Sequence, residues 1–150
     1  MRLIDFSLSN IELEVGDSCF DLHNNFDFEG FSYGVANRSL AMKWKRGIGD
    51  WVPLGSPLEI EVKIEGVIHF SVTPRNPELP FSEDDCLNCV SFVEPDQPID
   101  DCFITAVAPI PTELHYIFQF MSGLNIRVQA EEARCLVKWP NPSINPDAAR

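Results

Sequence analysis

Two cysteines three positions apart are the feature of this sequence most typical of a chemical site. Cys86 and Cys89 form a C-x-x-C pair, a spacing used by zinc sites and by redox-active sites. A structural zinc site needs a second pair of ligands, but the candidates, Cys102 and His115, each stand alone. Redox chemistry needs a thiol of low pKa, which the carboxylates at 83–85 would raise instead. The sequence therefore favours two small buried residues in a turn, with Cys86, Cys89, Cys102 and His115 as the alternative, a metal site.

The other residues that could act in catalysis do not form a recognisable arrangement. His69 lies between Ile68 and Phe70, where strand alternation places it on a polar face, and His23 and His115 have no partner in the sequence pattern. The motifs of serine hydrolases, P-loop proteins and zinc proteases are missing from the sequence. We therefore predict a protein that is not an enzyme and needs no cofactor.

The distribution of charge distinguishes one interval of the chain. No lysine or arginine occurs between Arg75 and Arg127, whereas acidic residues and prolines are frequent there. If this interval forms one edge of the molecule, it presents a negative patch that attracts a basic protein and offers aromatic contacts. The alternative is an acidic loop that is only solvated. The residues predicted to bind the partner are Asp84, Asp85, Asp96, Asp100, Asp101, Phe81 and Phe92.

The overall composition limits the classes of function. The chain has 150 residues, enough for one domain with its own core, and a formal net charge of −12. Such a charge disfavours nucleic acid as a ligand. The sequence lacks the apolar runs of a signal peptide or a membrane span, and its odd number of cysteines fits reduced thiols. These features predict a cytoplasmic protein that binds neither nucleic acid nor membranes, with an undetermined oligomeric state.

Alternating apolar residues near the C-terminus predict a β-hairpin. They are Tyr116, Phe118, Phe120, Leu124, Ile126 and Val128. A three-residue loop, 121–123, places all six on one face, whereas a two-residue loop would mix apolar and polar side chains. Gly123 then stands at the loop position that favours a left-handed backbone.

A third strand is predicted to follow at Cys135, Val137 and Trp139. A four-residue loop, 130–133, brings Val128 opposite Cys135 and completes a three-stranded meander. The opposite face of this meander is polar and is predicted to face water. Its side chains are Gln119, Arg127, Gln129, Arg134 and Lys138.

An alternating run in the middle of the chain predicts one or two further strands. Its apolar residues all have even numbers: Leu58, Ile60, Val62, Ile64, Ile68, Phe70 and Val72. Either a turn at 65–67 separates two strands or one long strand bends at Gly66. Pro74 and Pro77 end the run.

Short candidate strands elsewhere predict an all-β fold. They span 11–15, 26–35 with a break at Gly30, 39–45 and 102–107, and a single helical turn near 82–89 could be capped by Ser82. We therefore predict an antiparallel sandwich or a partly open barrel with a C-terminal three-stranded meander and little helix. One domain covers 1–139, and 140–150 form a flexible, proline-rich tail.

Three stretches of the sequence carry a resemblance: LEIEVKIEGVIHFSVTPR, PFSEDDCLNCVSF and HYIFQFMSGLNIRVQAEEARCLV. They resemble a class of small bacterial all-β proteins, most without assigned function, some of which look like immunity proteins that neutralise a secreted toxin. The resemblance implies a protein-binding domain, for example an inhibitor of a basic nuclease toxin. It transfers no site residue.

Two other classes of function stay open. One is a small-ligand or metal-binding β-domain, which zinc bound to the purified chain would favour. The other is a subunit that assembles with copies of itself through exposed strands, which the mass in solution would test.

Overall fold

The computed structural model describes residues 1–104 and 109–140. Its regular structure consists of β-strands and two short 3₁₀ turns, and no α-helix occurs in the described residues. The strands are β1 (Arg2–Ile4), β2 (Ser7–Ser9), β3 (Glu12–Val15), β4 (Ser18–Asp21), β5 (Phe26–Gly34), β6 (Ser39–Arg46), β7 (Glu59–Thr73), β8 (Leu87–Val93), β9 (His115–Phe120) and β10 (Asn125–Lys138). The predicted all-β class is confirmed.

Two sheets make up the molecule. Sheet A is a curled half-barrel with the strand order β5-β6-β7-β10-β9-β8, and β1 pairs in parallel with β10. Sheet B is antiparallel and contains β2, β3 and β4. The two ends of sheet A meet at one point, where the N–H of Phe28 in β5 donates to the carbonyl of Asp85 over 2.8 Å. Of the two predicted architectures, the chain therefore adopts the partly open barrel.

The predicted β9–β10 hairpin is confirmed together with its register. Phe118 lies opposite Ile126, and both are fully buried. The N–H of Phe120 donates to the carbonyl of Leu124 over 2.9 Å, and Gly123 has a φ of +83°. The loop therefore has the three residues that the alternation of apolar side chains requires.

The turn predicted at 130–133 is wrong, because β10 continues through it. β10 is one strand of 14 residues that pairs with β7 along its whole length, so Val128 lies opposite Phe70 and not opposite Cys135. The pairing shifts by one residue after Gln129. The buried apolar positions of β10 have even numbers up to Ala130, whereas the next buried position is the odd-numbered Ala133. The C-terminal meander exists, but its three strands are β8, β9 and β10.

A single strand bent at Gly66 forms the middle of sheet A, which decides between the two predicted arrangements. Gly66 has a φ of +64°, and a Cβ at this position would lie 2.5 Å from Cδ of Glu131. The backbone conformation therefore favours glycine, and the side chain of Glu131 would have to move to admit a Cβ. The bend also changes the buried positions, because Val67 is buried and Ile68 is exposed. The predicted even numbering therefore fails at Ile68 and Val72, whereas Phe70 packs against the core as expected.

The core fills the concave side of sheet A and is closed by sheet B. Trp44, Tyr116, Phe92 and Phe118 are among its largest fully buried side chains, and sheet B adds Leu13. The rings of Phe92 and Tyr116 meet edge to face with centroids 4.8 Å apart. One continuous apolar cluster thus joins the two sheets.

Two smaller expectations need correction. A 3₁₀ turn at Phe81–Glu83 stands where a helical turn was expected, and it begins after Pro80 without a side-chain cap from Ser82. The strand expected at 102–107 is seen only as a bridge between Phe103 and Phe92, and its residues 105–107 lie outside the described residues. The predicted tail, apart from Pro140, also lies outside them.

Candidate functional site

The acidic residues between Arg75 and Arg127 lie around β8, which is an edge strand of sheet A. Asp84 and Asp85 precede β8 and Asp96 follows it, and seven residues of extended strand span roughly 20 Å. Asp84 is already engaged, since Nε of Arg75 donates to its carboxylate over 2.7 Å and thereby lowers its pKa. The carboxylates of the 3₁₀ turn Ile99–Asp101 are exposed. The carboxylates therefore lie at both ends of β8 and in the turn beside it, and their role in binding a partner stays a prediction.

The two aromatic residues predicted to contact a partner differ in exposure. Phe81 is 80% exposed and lies under the guanidinium of Arg75, 4.5 Å from the ring centroid. Phe92 is fully buried and packs against Tyr116. The expectation that Phe92 reaches a partner is therefore wrong, because its strand position faces the core.

The four residues of the metal alternative lie in three environments. They are Cys86, Cys89, Cys102 and His115. Sγ of the first lies 3.7 Å from Nδ1 of His23. The other two thiols share Oε1 of Gln119 as acceptor, at 2.9 and 3.7 Å, and the histidine contacts Arg127. Within the described residues no three His, Cys, Asp or Glu side chains are grouped so that they could hold a metal ion.

Of the five side chains expected to face water, Arg134 and Lys138 are exposed, but Arg127 is covered, which corrects the expectation for that residue. Arg127 is 9% exposed, and its Nε donates to Nδ1 of His115 over 2.8 Å. Its Nη1 donates to the carbonyl of Gln97 over 2.8 Å, and its Nη2 donates to those of Glu94 and Pro95 over 3.1 and 2.6 Å. Carbonyl dipoles therefore compensate for the burial of the guanidinium. We call Arg127, His115 and the covering residues 94–97 the polar layer.

His115 is held neutral in the polar layer. Burial, and then the charge of Arg127, lower its pKa to about 4. Because Nδ1 accepts from Arg127, the neutral ring carries its proton on Nε2. The ring of His69 lies beside it with centroids 4.7 Å apart, and burial and Arg127 lower the pKa of His69 as well. The arrangement suits a structural contact that is sensitive to acid.

The outer face of sheet B carries several carboxylates that were not predicted to bind a partner. Strand pairing places Glu12 opposite Asp21 and Glu14 opposite Cys19, while Leu13 faces the core between them. None of the ion pairs among residues 1–104 and 109–140 includes these carboxylates. Partial burial, and then the same three carboxylates, raise the pKa of Cys19, as a negative local potential would. We call Glu12, Glu14 and Asp21 the acidic face.

A groove of about 560 Å³ adjoins the acidic face, and Glu12 and Glu14 contribute to its lining. Its apolar lining comes from β1, β2 and the residues before and in β9: Leu3, Phe6, Leu8, Ile110 and Tyr116. This volume lies within the range of about 300–1,000 Å³ typical of binding sites. Arg2 also lines the groove, but its guanidinium is paired with Glu132 over 2.5 Å. The side-chain carboxylates of the groove are therefore left without an arginine partner.

The sequence contains one feature that could have indicated the acidic face, which is a second interval without basic residues. Between Arg2 and Arg38 the chain contains no lysine or arginine and seven acidic residues. The sequence patterns predicted β3 but neither β2 nor β4, and only the pairing of β3 with β4 brings Glu12 beside Asp21. The charge imbalance was visible in the sequence, whereas the shared face was not.

Comparisons with known protein families, curated proteins and solved structures give no match for this chain. No helix in the described part of the chain is long and apolar enough to cross a membrane. The functional interpretation therefore rests on the geometry of the groove and the acidic face.

Proposed function

We propose that this chain is a non-enzymatic domain that binds a basic segment of another protein in the groove. The observation that carries the proposal is the pair Glu12 and Glu14, free of ion pairs within the described residues, beside an apolar groove of about 560 Å³. The carboxylates attract lysine or arginine side chains, and the apolar lining receives a hydrophobic side chain between them.

The charge of the whole molecule supports a basic partner. A net charge of −12 accelerates the encounter with a positively charged protein and repels an acidic one. An immunity-type inhibitor of a basic toxin, which the resemblance implies, is one form of this proposal. In that form the chain would cover the cationic site of the toxin without performing any chemistry.

The charge requirement can be tested with a fluorescent peptide in which Leu-Phe is flanked by lysines. We expect the double variant Glu12→Gln, Glu14→Gln to weaken binding roughly ten-fold at low salt, and less at high salt, because screening removes the attraction. Fluorescence anisotropy measures the dissociation constant.

A matched control is the double variant Asp100→Asn, Asp101→Asn, which removes the same charge from the 3₁₀ turn after β8. It should leave binding within about two-fold, because these carboxylates do not line the groove. Equal losses from the two double variants would contradict the proposal, since net charge alone would then attract the peptide. The same control examines two of the residues selected from the sequence.

The apolar requirement is tested on the peptide, so that the protein stays unchanged. Replacing Leu-Phe with Ser-Ser should weaken binding at least about ten-fold, because a buried large apolar side chain contributes roughly 1.5–3 kcal/mol. Equal binding of the two peptides would show that the groove takes no part.

A further inference from the structure

The two edges of sheet A differ in how far other segments of the chain form hydrogen bonds with them. At the β8 edge, the N–H of Val90 donates to Asn10 over 2.6 Å, and Phe92 and Phe103 exchange two backbone hydrogen bonds of 2.8 Å. At the β5 edge, the bond from Phe28 to Asp85 is the last contact of this kind, and in residues 1–104 and 109–140 no strand pairs with the edge beyond it. The backbone from Gly30 to Gly34 can therefore pair with an added strand.

The open edge has none of the features that usually prevent pairing with another chain. Residues 30–37 contain no charged side chain and no proline, although the chain as a whole has a net charge of −12. Lysines, prolines and inward-pointing charges are the residues that block edge-to-edge pairing. The uncharged edge is the place where two copies of this acidic protein can approach without like charges facing each other in the ladder.

The sequence of this edge is symmetric about its centre. Residues 30–34 read Gly-Phe-Ser-Tyr-Gly. An antiparallel pair of two such strands, centred on Ser32, places Gly30 opposite Gly34, Phe31 opposite Tyr33 and Ser32 opposite itself. Cross-strand aromatic pairs stabilise a sheet, and glycine opposite glycine allows close approach. The strand is therefore complementary to a second copy of itself, as a two-fold contact requires.

We propose that two copies of this chain pair edge to edge through β5, antiparallel about Ser32, and join their half-barrels into one continuous sheet. Phe31 and Tyr33 are 40% and 37% exposed in the single chain, where they pack on one side against Phe70 with ring centroids 5.7 and 4.8 Å apart. In the dimer each of them gains an aromatic neighbour across the two-fold axis. The groove and the acidic face belong to sheet B and segments near it, so this contact does not depend on the proposed function.

The unmodified chain provides the first test, by sedimentation velocity over a range of concentrations. We expect a dimer whose dissociation constant falls roughly ten-fold between about 0.05 M and 0.5 M salt, because salt screens the repulsion between two acidic molecules. This salt dependence is opposite in sign to that of the basic peptide. A monomer at every concentration and salt would overturn the proposal.

Two variants at the centre of the contact provide the second test. The side chain of Ser32 is exposed, so Ser32→Lys and Ser32→Glu should both leave the fold intact, which circular dichroism checks. Each variant alone should be monomeric, because like charges would face each other across the axis, and an equal mixture of the two should form dimers again. A control, Thr73→Lys, adds the same charge at an exposed end of β7 and should dimerise like the unmodified chain.

Dimers of Ser32→Lys as strong as those of the unmodified chain would overturn the proposal. A mixture of the two Ser32 variants that stays monomeric would also overturn it, because the facing charges are then not in contact.

Discussion

The two faces of the β9–β10 hairpin are both buried, but they are stabilised by different interactions. On the concave face Phe118 and Ile126 are fully buried in an apolar cluster. On the outer face Arg127 is almost as deeply buried, yet it is held by four hydrogen bonds to His115 and to three backbone carbonyls. The apolar cluster depends on buried area, whereas the polar layer depends on directional bonds and on protonation.

The apolar cluster and the polar layer also differ in how they tolerate an unpaired polar atom. The core contains Nε1 of Trp44, which has no hydrogen-bond partner and is the only buried side-chain nitrogen or oxygen in this condition among the described residues. The guanidinium of Arg127 has an acceptor for each of its three nitrogens. A buried charge needs such compensation far more than an indole N–H does. Removing one hydrogen-bond partner in the polar layer should therefore lower the free energy of unfolding by more than the loss of a few buried atoms alone would.

The largest effect is expected from truncation in the apolar cluster. Phe118→Ala should lower the free energy of unfolding by about 3–5 kcal/mol, because it removes a fully buried ring and leaves a cavity. Urea denaturation followed by fluorescence measures the change. Phe81→Ala is the control at an exposed position and should cost less than about 1 kcal/mol. Similar losses from the two variants would contradict the distinction between a buried face and an exposed turn.

A smaller but more local effect is expected from removing the guanidinium of the polar layer. Arg127→Met should lower the free energy of unfolding by about 2–3 kcal/mol, because the carbonyls of Glu94, Pro95 and Gln97 lose their donors. Amide hydrogen exchange should accelerate in the segment after β8 and stay slow in β6. Arg134→Met, at a surface ion pair with Glu132, is the control and should cost less than about 1 kcal/mol. If both variants cost the same, the polar layer is not a stabilising contact.

The smallest effect is expected from acid, through protonation of His115 in the polar layer. The pKa of His115 falls from its ordinary value of 6.5 to about 4 in the folded chain, so the unfolded chain binds the proton more readily. The stability from neutral His115 is fully present above pH 6.5 and is lost as the pH falls towards 4. The loss should be on the order of 1–2 kcal/mol after allowance for solvent screening. Urea denaturation at several pH values measures it.

A matched variant separates His115 from other acid-sensitive groups. His115→Gln keeps an acceptor for Arg127 but does not titrate, so its stability should fall less steeply between pH 6.5 and 4. Burial and the charge of Arg127 also lower the pKa of His69, and this residue remains in both proteins. An unchanged slope in His115→Gln would show that another group causes the acid sensitivity.

Local patterns predicted the parts of the fold that involve neighbouring residues. The register of the β9–β10 hairpin follows from alternating side chains on both sides of a three-residue loop, and the loop needs only the backbone freedom of Gly123. The same reasoning failed at 130–133, where a change in the buried positions was read as a turn. The change lies between Ala130 and Ala133, opposite the bend at Gly66 in β7, which is far away in the sequence.

The candidate site could be predicted only in part for the same reason. The excess of negative charge is a property of the sequence, and it indicated a basic partner before any strand was placed. The sequence patterns did not show which carboxylates share a face, because Glu12 and Asp21 meet through the pairing of β3 with β4. They also did not show that Phe92 turns inwards.

The sequence by itself determined the all-β class, the hairpin register and the sign of the charge, because each depends on residue types at short spacing. Only the tertiary structure decided which faces of the strands are covered. Arg127 alternates with apolar residues and was expected in water, but the segment after β8 folds over it. Whether a polar strand face meets solvent or another part of the chain depends on contacts between distant segments, which alternation along one strand cannot specify.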